Sequence, residues 1–215
     1  MIILAPGWEK LELTGAELWF CREWFQREEA DAMQAVLRLA IPWETHRIRL
    51  FGREIDTPRR SCWIGDPRAV YTYSRMRFEP HPWPVALRDI RERLREGIGL
   101  DFNSVLANLY RNGRDKMGWH SDDEPELGPC PTIASLSLGA TRRFIFKPRC
   151  EGGRGRLAVD LPHGSLLLMA GETQARYRHA LPGTRAAVGE RINLTFRQIL
   201  HERKTCGFID SNYLN

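Results

Sequence analysis

The pattern of hydrophobic and polar positions predicts two helices in the first half of the chain. Between residues 26 and 40, one helical stripe collects the apolar residues Ala30, Met33, Leu37 and Ala40, and Pro42 ends the helix. A second helix begins at Pro84 and turns Leu87, Ile90 and Leu94 inward before the glycines at 97 and 99. Around these helices we expect an irregular arm over 1–15, strands over 16–25 and 45–51, a long loop over 56–69 and an extended segment over 71–74.

Beyond residue 100 the pattern changes to short β-rich runs separated by Gly, Pro and Asn. The runs cover residues 102–110, 132–138, 143–147, 156–161, 165–169, 176–180 and 191–198. Many short strands at this spacing indicate a sandwich or barrel, so the predicted fold class is α+β, mainly β, with a jelly-roll core and N-terminal helices. We predict one domain over residues 1–215, with an N-terminal extension and recognition region (1–100), a core (101–200) and a tail (201–215).

Composition and charge favour a folded protein with a polyanionic partner. Hydrophobic residues make up 42% of the 215 residues, which argues against disorder and allows a sizeable core. The net charge of +5 is concentrated, since residues 46–77 hold eight arginines against three acids and residues 141–156 hold six basic residues against one acid. The five scattered cysteines form no Cys-x-x-Cys pair, and no signal peptide or membrane-length apolar run is visible. We therefore expect a cytoplasmic or nuclear protein that is neither secreted nor bound to a membrane.

The tripeptide His120-Ser121-Asp122 holds the first candidate metal ligands. Side chains two residues apart point the same way on extended backbone, so His120 and Asp122 can bind one ion together. His179, 57 residues after Asp122, is the best candidate for a third ligand. Two imidazoles and one carboxylate are the ligand set of non-haem Fe(II) oxygenases, although the same set holds catalytic zinc in some hydrolases. Asp123 is an alternative carboxylate, but the spacing favours Asp122.

A row of polar residues follows in the run 191–197. Its alternation places four polar side chains on one face of a strand, namely Arg191, Asn193, Thr195 and Arg197. Because an arginine fork binds a carboxylate in two places, two arginines beside an open metal site fit a small dicarboxylate. Asn108 and Tyr110 alternate inward from an earlier strand and extend this polar set. The alternative is that the polar face is exposed to solvent.

Taken together, these segments resemble the AlkB family of Fe(II)/2-oxoglutarate dioxygenases. The segments are Asn108-x-Tyr110, His120-x-Asp122, His179 and Arg191-x-Asn193-x-Thr195-x-Arg197. The resemblance runs from the first helix to Leu200 and is closest to the family's DNA-repair members. It implies a double-stranded β-helix core, Fe(II) held by His120, Asp122 and His179, and O2 as a cosubstrate. It also implies that 2-oxoglutarate is bound by Asn108, Tyr110, Arg191, Asn193, Thr195 and Arg197.

The resemblance extends to segments that contact nucleic acid in this family. Leu50-Phe51-Gly52 is similar to the hairpin with which duplex-acting members probe the base stack, where Phe51 would be an apolar wedge. A core position for Phe51 is the alternative. Tyr71-Thr72-Tyr73-Ser74 resembles the lining of the base pocket, in which Tyr73 would stack on a flipped base opposite His120. Glu124 would face the base and favour a cationic methylated base, or else be a solvated loop residue.

These likenesses imply oxidative demethylation of N-alkylated nucleobases of the 1-methyladenine and 3-methylcytosine type in DNA, a direct reversal of alkylation damage that releases formaldehyde and succinate. The expected partner is single- or double-stranded DNA, with RNA as a second candidate, and the expected state is a monomer. Two alternatives stay open. One is the same chemistry on modified RNA or protein lysine, and the other is a non-catalytic nucleic-acid binder. Arg178 stands before the distal histidine, where the family commonly has an aromatic residue, so the substrate range stays open.

Overall fold

A computed structural model describes residues 7–50, 53–73, 76–150, 153 and 155–200 of the chain. The helices of this part are α1 (Arg27–Ala40), α2 (Val85–Ile98) and the short α3 (Thr173–Arg176). Its strands are β1 (Trp8–Leu11), β2 (Glu17–Cys21), β3 (Arg47–Leu50), β4 (Arg53–Asp56), β5 (Arg60–Gly65), β6 (Tyr71–Tyr73), β7 (Met76–Phe78), β8 (Ser104–Tyr110), β9 (Met117–His120), β10 (Ile133–Gly139), β11 (Arg142–Pro148), β12 (Leu157–Leu161), β13 (Ser165–Ala170), β14 (Tyr177–Leu181) and β15 (Arg191–Arg197).

Two antiparallel sheets form the core of the molecule. The larger sheet has seven strands in the order β1-β2-β13-β10-β15-β8-β5, and the smaller has four in the order β12-β11-β14-β9. Strands that are neighbours in a sheet are often far apart in sequence, and this strand order is typical of a jelly roll. The strands β3–β4 and β6–β7 form two separate hairpins that belong to neither of these sheets. The predicted mainly-β jelly roll with N-terminal helices is therefore confirmed.

One face of the larger sheet is covered by the helices. Leu37 of α1 and Leu87, Ile90 and Leu94 of α2 are buried in one hydrophobic cluster with the apolar face of β15. The predicted helices are correct in position, because their apolar stripes match the side chains of a sheet face. Ala40 is an exception, since it is exposed at the end of α1 rather than packed on the stripe.

A second hydrophobic cluster lies between the two sheets. Phe20 of β2 and Met169 of β13 meet Phe146 of β11 and Tyr177 of β14 there. This cluster fills one part of the space between the sheets with apolar side chains. The remaining part is lined largely by polar side chains and forms a cavity.

Three segments differ from the sequence-based expectations. The predicted irregular arm contains β1, which pairs with β2, and the predicted strand over 16–25 ends at Cys21. The predicted long loop over 56–69 contains β5, whose residues Ser61 to Gly65 are buried beside β8. The apolar run of β5 is only three residues long and lies between Arg- and Pro-rich flanks. The strand therefore forms because it pairs with β8, and the local pattern alone does not predict it.

No helix in the described ranges combines the length and the apolar character that a membrane crossing requires.

Candidate metal and cosubstrate site

The polar cavity between the sheets brings together residues from widely separated parts of the chain. Strands β8, β10 and β15 of the larger sheet line one wall, and β9 and β14 of the smaller sheet line the other. The cavity contains nine of the predicted site residues, which are Asn108, Tyr110, His120, Asp122, His179, Arg191, Asn193, Thr195 and Arg197. The alternating face of β15 therefore points into the cavity and not into solvent.

The three candidate metal ligands converge at this wall. His120 on β9 pairs in register with His179 on β14, and their Nε2 atoms are 3.1 Å apart. Oxygens of Asp122 lie 3.9 Å from each of these nitrogens. Two metal–nitrogen bonds of about 2.1 Å at right angles separate their nitrogens by about 3 Å, so the spacing fits a shared ion. His120 donates from Nδ1 to the Gly118 carbonyl at 2.8 Å, which leaves the Nε2 lone pair free for a metal.

The protonation states of the triad also suit a divalent cation. Burial lowers the pKa of His179 to about 3 and lowers the pKa of His120, so both rings are neutral at physiological pH. Burial alone would raise the pKa of Asp122, but the positive charge of Arg197 and its hydrogen bond to the carboxylate outweigh burial and lower this pKa to about 2. The site thus offers two neutral nitrogens and one carboxylate, which is the ligand set expected for Fe(II).

The two adjacent aspartates have different partners. Asp122 is buried and accepts a hydrogen bond from Arg197 Nη2 at 2.7 Å. Asp123 is exposed and pairs with Arg149 outside the cavity. The geometry therefore favours Asp122 over Asp123 as the carboxylate ligand, as the i, i+2 spacing predicts.

Arg191 lies on the opposite wall and is the most unusual charge in the cavity. Its side chain is 2% exposed, and its Nη2 donates to Ser137 Oγ at 2.9 Å. Its Nε and Nη1 are buried and find no hydrogen-bond partner among the described residues. Burial lowers the pKa of Arg191 to about 10, so the guanidinium stays charged. Two unsatisfied donors on a buried cation indicate that an anionic ligand such as a carboxylate binds here.

The other predicted cosubstrate residues form a connected polar wall. Asn193 Nδ2 donates to Ser135 Oγ at 2.9 Å, and Thr195 Oγ1 donates to Asn193 Oδ1 at 3.2 Å. Asn108 Oδ1 accepts from Arg59 Nε at 2.8 Å. Arg59 belongs to the basic block 46–77, yet it lines the cavity beside the predicted cosubstrate residues.

Several residues that hold the site residues in place were not predicted from the sequence. Ser135 and Ser137 alternate with apolar residues along β10, so the same period-two pattern that identified the β15 row could have identified them. No pattern in the sequence identified Gln174 in this way. It is buried on α3, and its Oε1 accepts from the backbone N–H of Asp122 at 3.0 Å. Gln174 thus holds the backbone of a candidate metal ligand.

The residues predicted to contact nucleic acid are less well described. Phe51 and Ser74 lie outside the described residues, and only the backbone of Tyr71 and Tyr73, in β6, is described. β3 and β4 pair as an antiparallel hairpin on either side of Phe51. Glu124 is half-buried at the start of a 3-10 turn over Pro125–Leu127. The substrate roles of these five residues stay predictions.

Comparison with known proteins identifies the family of the chain. The sequence model of the 2OG-Fe(II) oxygenase superfamily matches residues 17–197. Human alpha-ketoglutarate-dependent dioxygenase alkB homolog 3 is 43% identical over 180 residues, which are 80% of this chain and 62% of that protein. The chain thus spans less than two thirds of that relative's length. Mouse DNA oxidative demethylase ALKBH2 is 37% identical over 209 residues, which are 93% of this chain and 87% of that protein.

Solved structures show the same fold at lower sequence identity. The structure of OsALKBH1 superposes with a TM-score of 0.57 at 18% identity, over 88% of this chain and 100% of that chain. An oxidoreductase of the 2OG-Fe(II) oxygenase family from Burkholderia pseudomallei gives a TM-score of 0.58 at 17% identity, over 87% of this chain and 86% of that one. With the jelly-roll core, the convergent triad and these relatives, the chain belongs to the AlkB family of 2-oxoglutarate- and Fe(II)-dependent oxygenases.

Proposed function

We propose that this protein is a DNA oxidative demethylase that removes N-methyl groups of the 1-methyladenine and 3-methylcytosine type. The observation that carries the proposal is the pairing of the triad with Arg191 across one cavity. His120, Asp122 and His179 offer ligand atoms within 4.8 Å of one another, while Arg191 presents two unsatisfied donors from the facing sheet. The relatives named as alkB homolog 3 dioxygenase and DNA oxidative demethylase support the substrate class.

In this proposal, one wall of the cavity binds the metal and the other binds the cosubstrate. His120, Asp122 and His179 would hold Fe(II), and Arg191 would bind the distal carboxylate of 2-oxoglutarate with its unsatisfied donors. Arg197 already donates to Asp122, so it orients the ligand carboxylate and lies near the metal-proximal end of the cosubstrate. Iron, 2-oxoglutarate and O2 supply the oxidation of the methyl group to a hydroxymethyl group, with succinate and CO2 as coproducts. The hydroxymethyl group then leaves as formaldehyde and restores the base.

The chain also keeps the reaction in a defined environment. The wall around the triad includes Phe144 and Leu181, which are apolar and limit water beside the metal position. Ser135 and Ser137 hold Asn193 and Arg191 in place before the cosubstrate arrives. Such preorganisation lowers the cost of orienting the reactants, which is the protein's part in a cofactor-driven reaction.

As part of the same proposal, the protein acts as a monomer in the cytosol or the nucleus, on single- or double-stranded DNA, with RNA as a second candidate substrate. Cys21, Cys62, Cys130 and Cys150 are free thiols, which suits a reducing compartment. Sedimentation velocity and cell fractionation test these two points.

A turnover assay tests the function directly. The protein is incubated with Fe(II), 2-oxoglutarate and O2 on 1-methyladenine in DNA, 1-methyladenine in RNA, and a methyl-lysine peptide. We expect equal amounts of formaldehyde and succinate with the DNA substrate, and none with the His179→Ala variant. Exclusive turnover of the RNA or of the peptide would replace the proposed substrate. Tight nucleic-acid binding without turnover on any substrate would identify a binder instead.

A further inference from the structure

The outer face of the four-stranded sheet has an unusual charge pattern at one end. On β11, Arg143 and Lys147 lie on this outward face, and β12 and β14 pair with β11 on either side. Arg143 lies opposite Asp160 of β12 and forms a salt bridge with it at 2.9 Å. Lys147 lies opposite Arg178 of β14, so two positive charges face each other directly.

The pair of Lys147 and Arg178 differs from the other basic residues nearby. Arg143 is neutralised by Asp160, and Arg149 is neutralised by Asp123. Neither Lys147 nor Arg178 has a carboxylate within salt-bridge distance in the ranges that the structure describes. Like charges placed directly opposite on a sheet are destabilising when no carboxylate offsets their repulsion. A bound anion would supply that partner.

An exposed tryptophan completes this surface. Trp119 on the neighbouring edge strand β9 is 43% exposed, and the ammonium of Lys147 lies 4.4 Å from its ring centroid. Together Trp119, Lys147 and Arg178 form what we call the basic–aromatic patch. An exposed ring interleaved with cations is the combination that binds single-stranded nucleic acid, since bases stack on the ring while phosphates meet the charges. An acidic protein surface would use the charges but not the flat ring.

The basic–aromatic patch lies directly behind the candidate metal site. Trp119 precedes His120 in the chain, and Arg178 precedes His179. The two ligands point into the cavity, whereas Trp119 and Arg178 lie on the outer face of the same strands beside Lys147 of β11. The patch therefore lies on the outer surface of the strands that carry two of the candidate metal ligands.

We propose that the basic–aromatic patch binds the unpaired strand that carries the target base, with phosphates on Lys147 and Arg178 and a flanking base on Trp119. This inference rests on the proposed function, because it assumes that the cavity receives a nucleobase. It assigns the patch a role in holding the flanking strand, separate from the cavity that holds the base.

Binding of unmethylated single-stranded oligonucleotides tests the patch without requiring turnover. Fluorescence anisotropy is measured under anaerobic conditions for 3-mer and 15-mer DNA at several salt concentrations. The variants are Trp119→Ala, the double variant Lys147→Ala/Arg178→Ala, and Arg143→Ala as a control on the same strand and face. We expect Trp119→Ala to raise the Kd of the 15-mer about tenfold, which matches the stacking contribution of one base.

The variants that remove charge are distinguished by the salt dependence of DNA binding. Loss of two phosphate contacts should reduce the slope of log K against log salt by about 1.4, at roughly 0.7 per contact on a single strand. Arg143→Ala removes one positive charge as well, but it should leave the slope unchanged because Asp160 already neutralises that residue. Fe(II) and 2-oxoglutarate binding of each variant is measured in parallel, so a damaged cavity is recognised.

Three results would overturn the inference. One is an unchanged salt slope in the double variant, and another is an equal loss in Arg143→Ala. The third is poly-glutamate binding that is as tight as DNA binding and as sensitive to Trp119→Ala, since it would assign the patch to an acidic protein. None of these results depends on turnover, so the proposed function and this inference can fail separately.

Discussion

At the scale of single residues, the surroundings decide what each charged side chain does. Asp122 and Asp123 are chemically identical neighbours, yet one is buried against Arg197 and two histidines while the other pairs with Arg149 at the surface. Arg191 and Arg143 differ in the same way, since only Arg191 is buried with unsatisfied donors. A buried charge without a full set of partners is costly, so its presence indicates a ligand.

Arg191→Ala is expected to weaken 2-oxoglutarate binding at least about 100-fold. Loss of one member of a buried charge pair costs about 3–5 kcal/mol, and each 1.4 kcal/mol is about tenfold. Ser137→Ala should cost about tenfold, because Arg191 keeps its charge but loses the contact that orients it. The measurement is the apparent KM for 2-oxoglutarate, with Arg143→Ala as the exposed control. An unchanged KM together with weaker DNA binding would show that Arg191 faces the nucleic acid.

Gln174→Leu is expected to reduce metal affinity about 10-fold to 100-fold, as other losses of partners around metal ligands do. The substitution leaves the buried N–H of Asp122 without its acceptor, so the ligand loop loses a fixed position. Anaerobic titration with Mn(II) measures the affinity. Gln198→Leu makes the same chemical change at an exposed position and should have no effect. Equal affinities for both variants and the unaltered protein would rule out a positioning role for Gln174.

At the scale of elements, β15 shows how one strand serves two purposes. Ile192, Leu194 and Phe196 pack in the cluster beneath the helices, whereas Arg191 and Thr195 face the cavity. Because successive side chains on a strand point to opposite faces, core and site are interleaved along seven residues. A register shift of one residue would therefore destroy both at once.

Neighbouring substitutions on β15 should separate stability from binding. Leu194→Ala should lower the free energy of unfolding by about 2–5 kcal/mol, because it leaves a cavity in a fully buried cluster. Thr195→Val should lower stability by only about 0.5–1.5 kcal/mol, because it keeps the side-chain volume and loses one hydrogen bond, but it should weaken 2-oxoglutarate binding because it removes a hydroxyl from the cavity wall. Urea unfolding and cosubstrate titration of both variants make the comparison. The reverse outcome would mean that the two faces of β15 are exchanged.

At the scale of the whole molecule, the site connects the two sheets. The smaller sheet supplies His120 and His179, and the larger supplies Arg191 and Arg197. Within the described residues, the salt bridge between Arg197 and Asp122 already crosses this gap. Metal and cosubstrate together would add further links across it, so binding should stabilise the complete sandwich.

Metal and 2-oxoglutarate should raise the melting temperature by about 5–10 °C. Ligand at about 100 times its Kd adds about 2.7 kcal/mol, and each kcal/mol is worth about 2–4 °C in a chain of this size. Differential scanning fluorimetry with Mn(II) in place of the air-sensitive Fe(II) measures the shift, and EDTA should reverse it. His179→Ala should show no metal-dependent shift. A shift of the same size in that variant would place the metal elsewhere.

The sequence by itself determined the features that depend on local periodicity. The amphipathic stripes around Leu37 and Ile90 predicted α1 and α2, and the alternation from Arg191 to Arg197 predicted both faces of β15. The i, i+2 spacing of His120 and Asp122 and the order of the motifs were enough to recognise the family. These features are visible because each arises from neighbours within one turn or one strand.

Only the tertiary structure decided which distant residues meet. Pairing of β14 with β9 brings His179 to within 3.1 Å of His120. Pairing of β5 with β8 makes a strand of the Arg-rich segment that includes Trp63. The contact of Gln174 with Asp122 and the opposed charges of Lys147 and Arg178 likewise depend on strand register. Register is set by the packing of whole sheets, so no short stretch of sequence contains it.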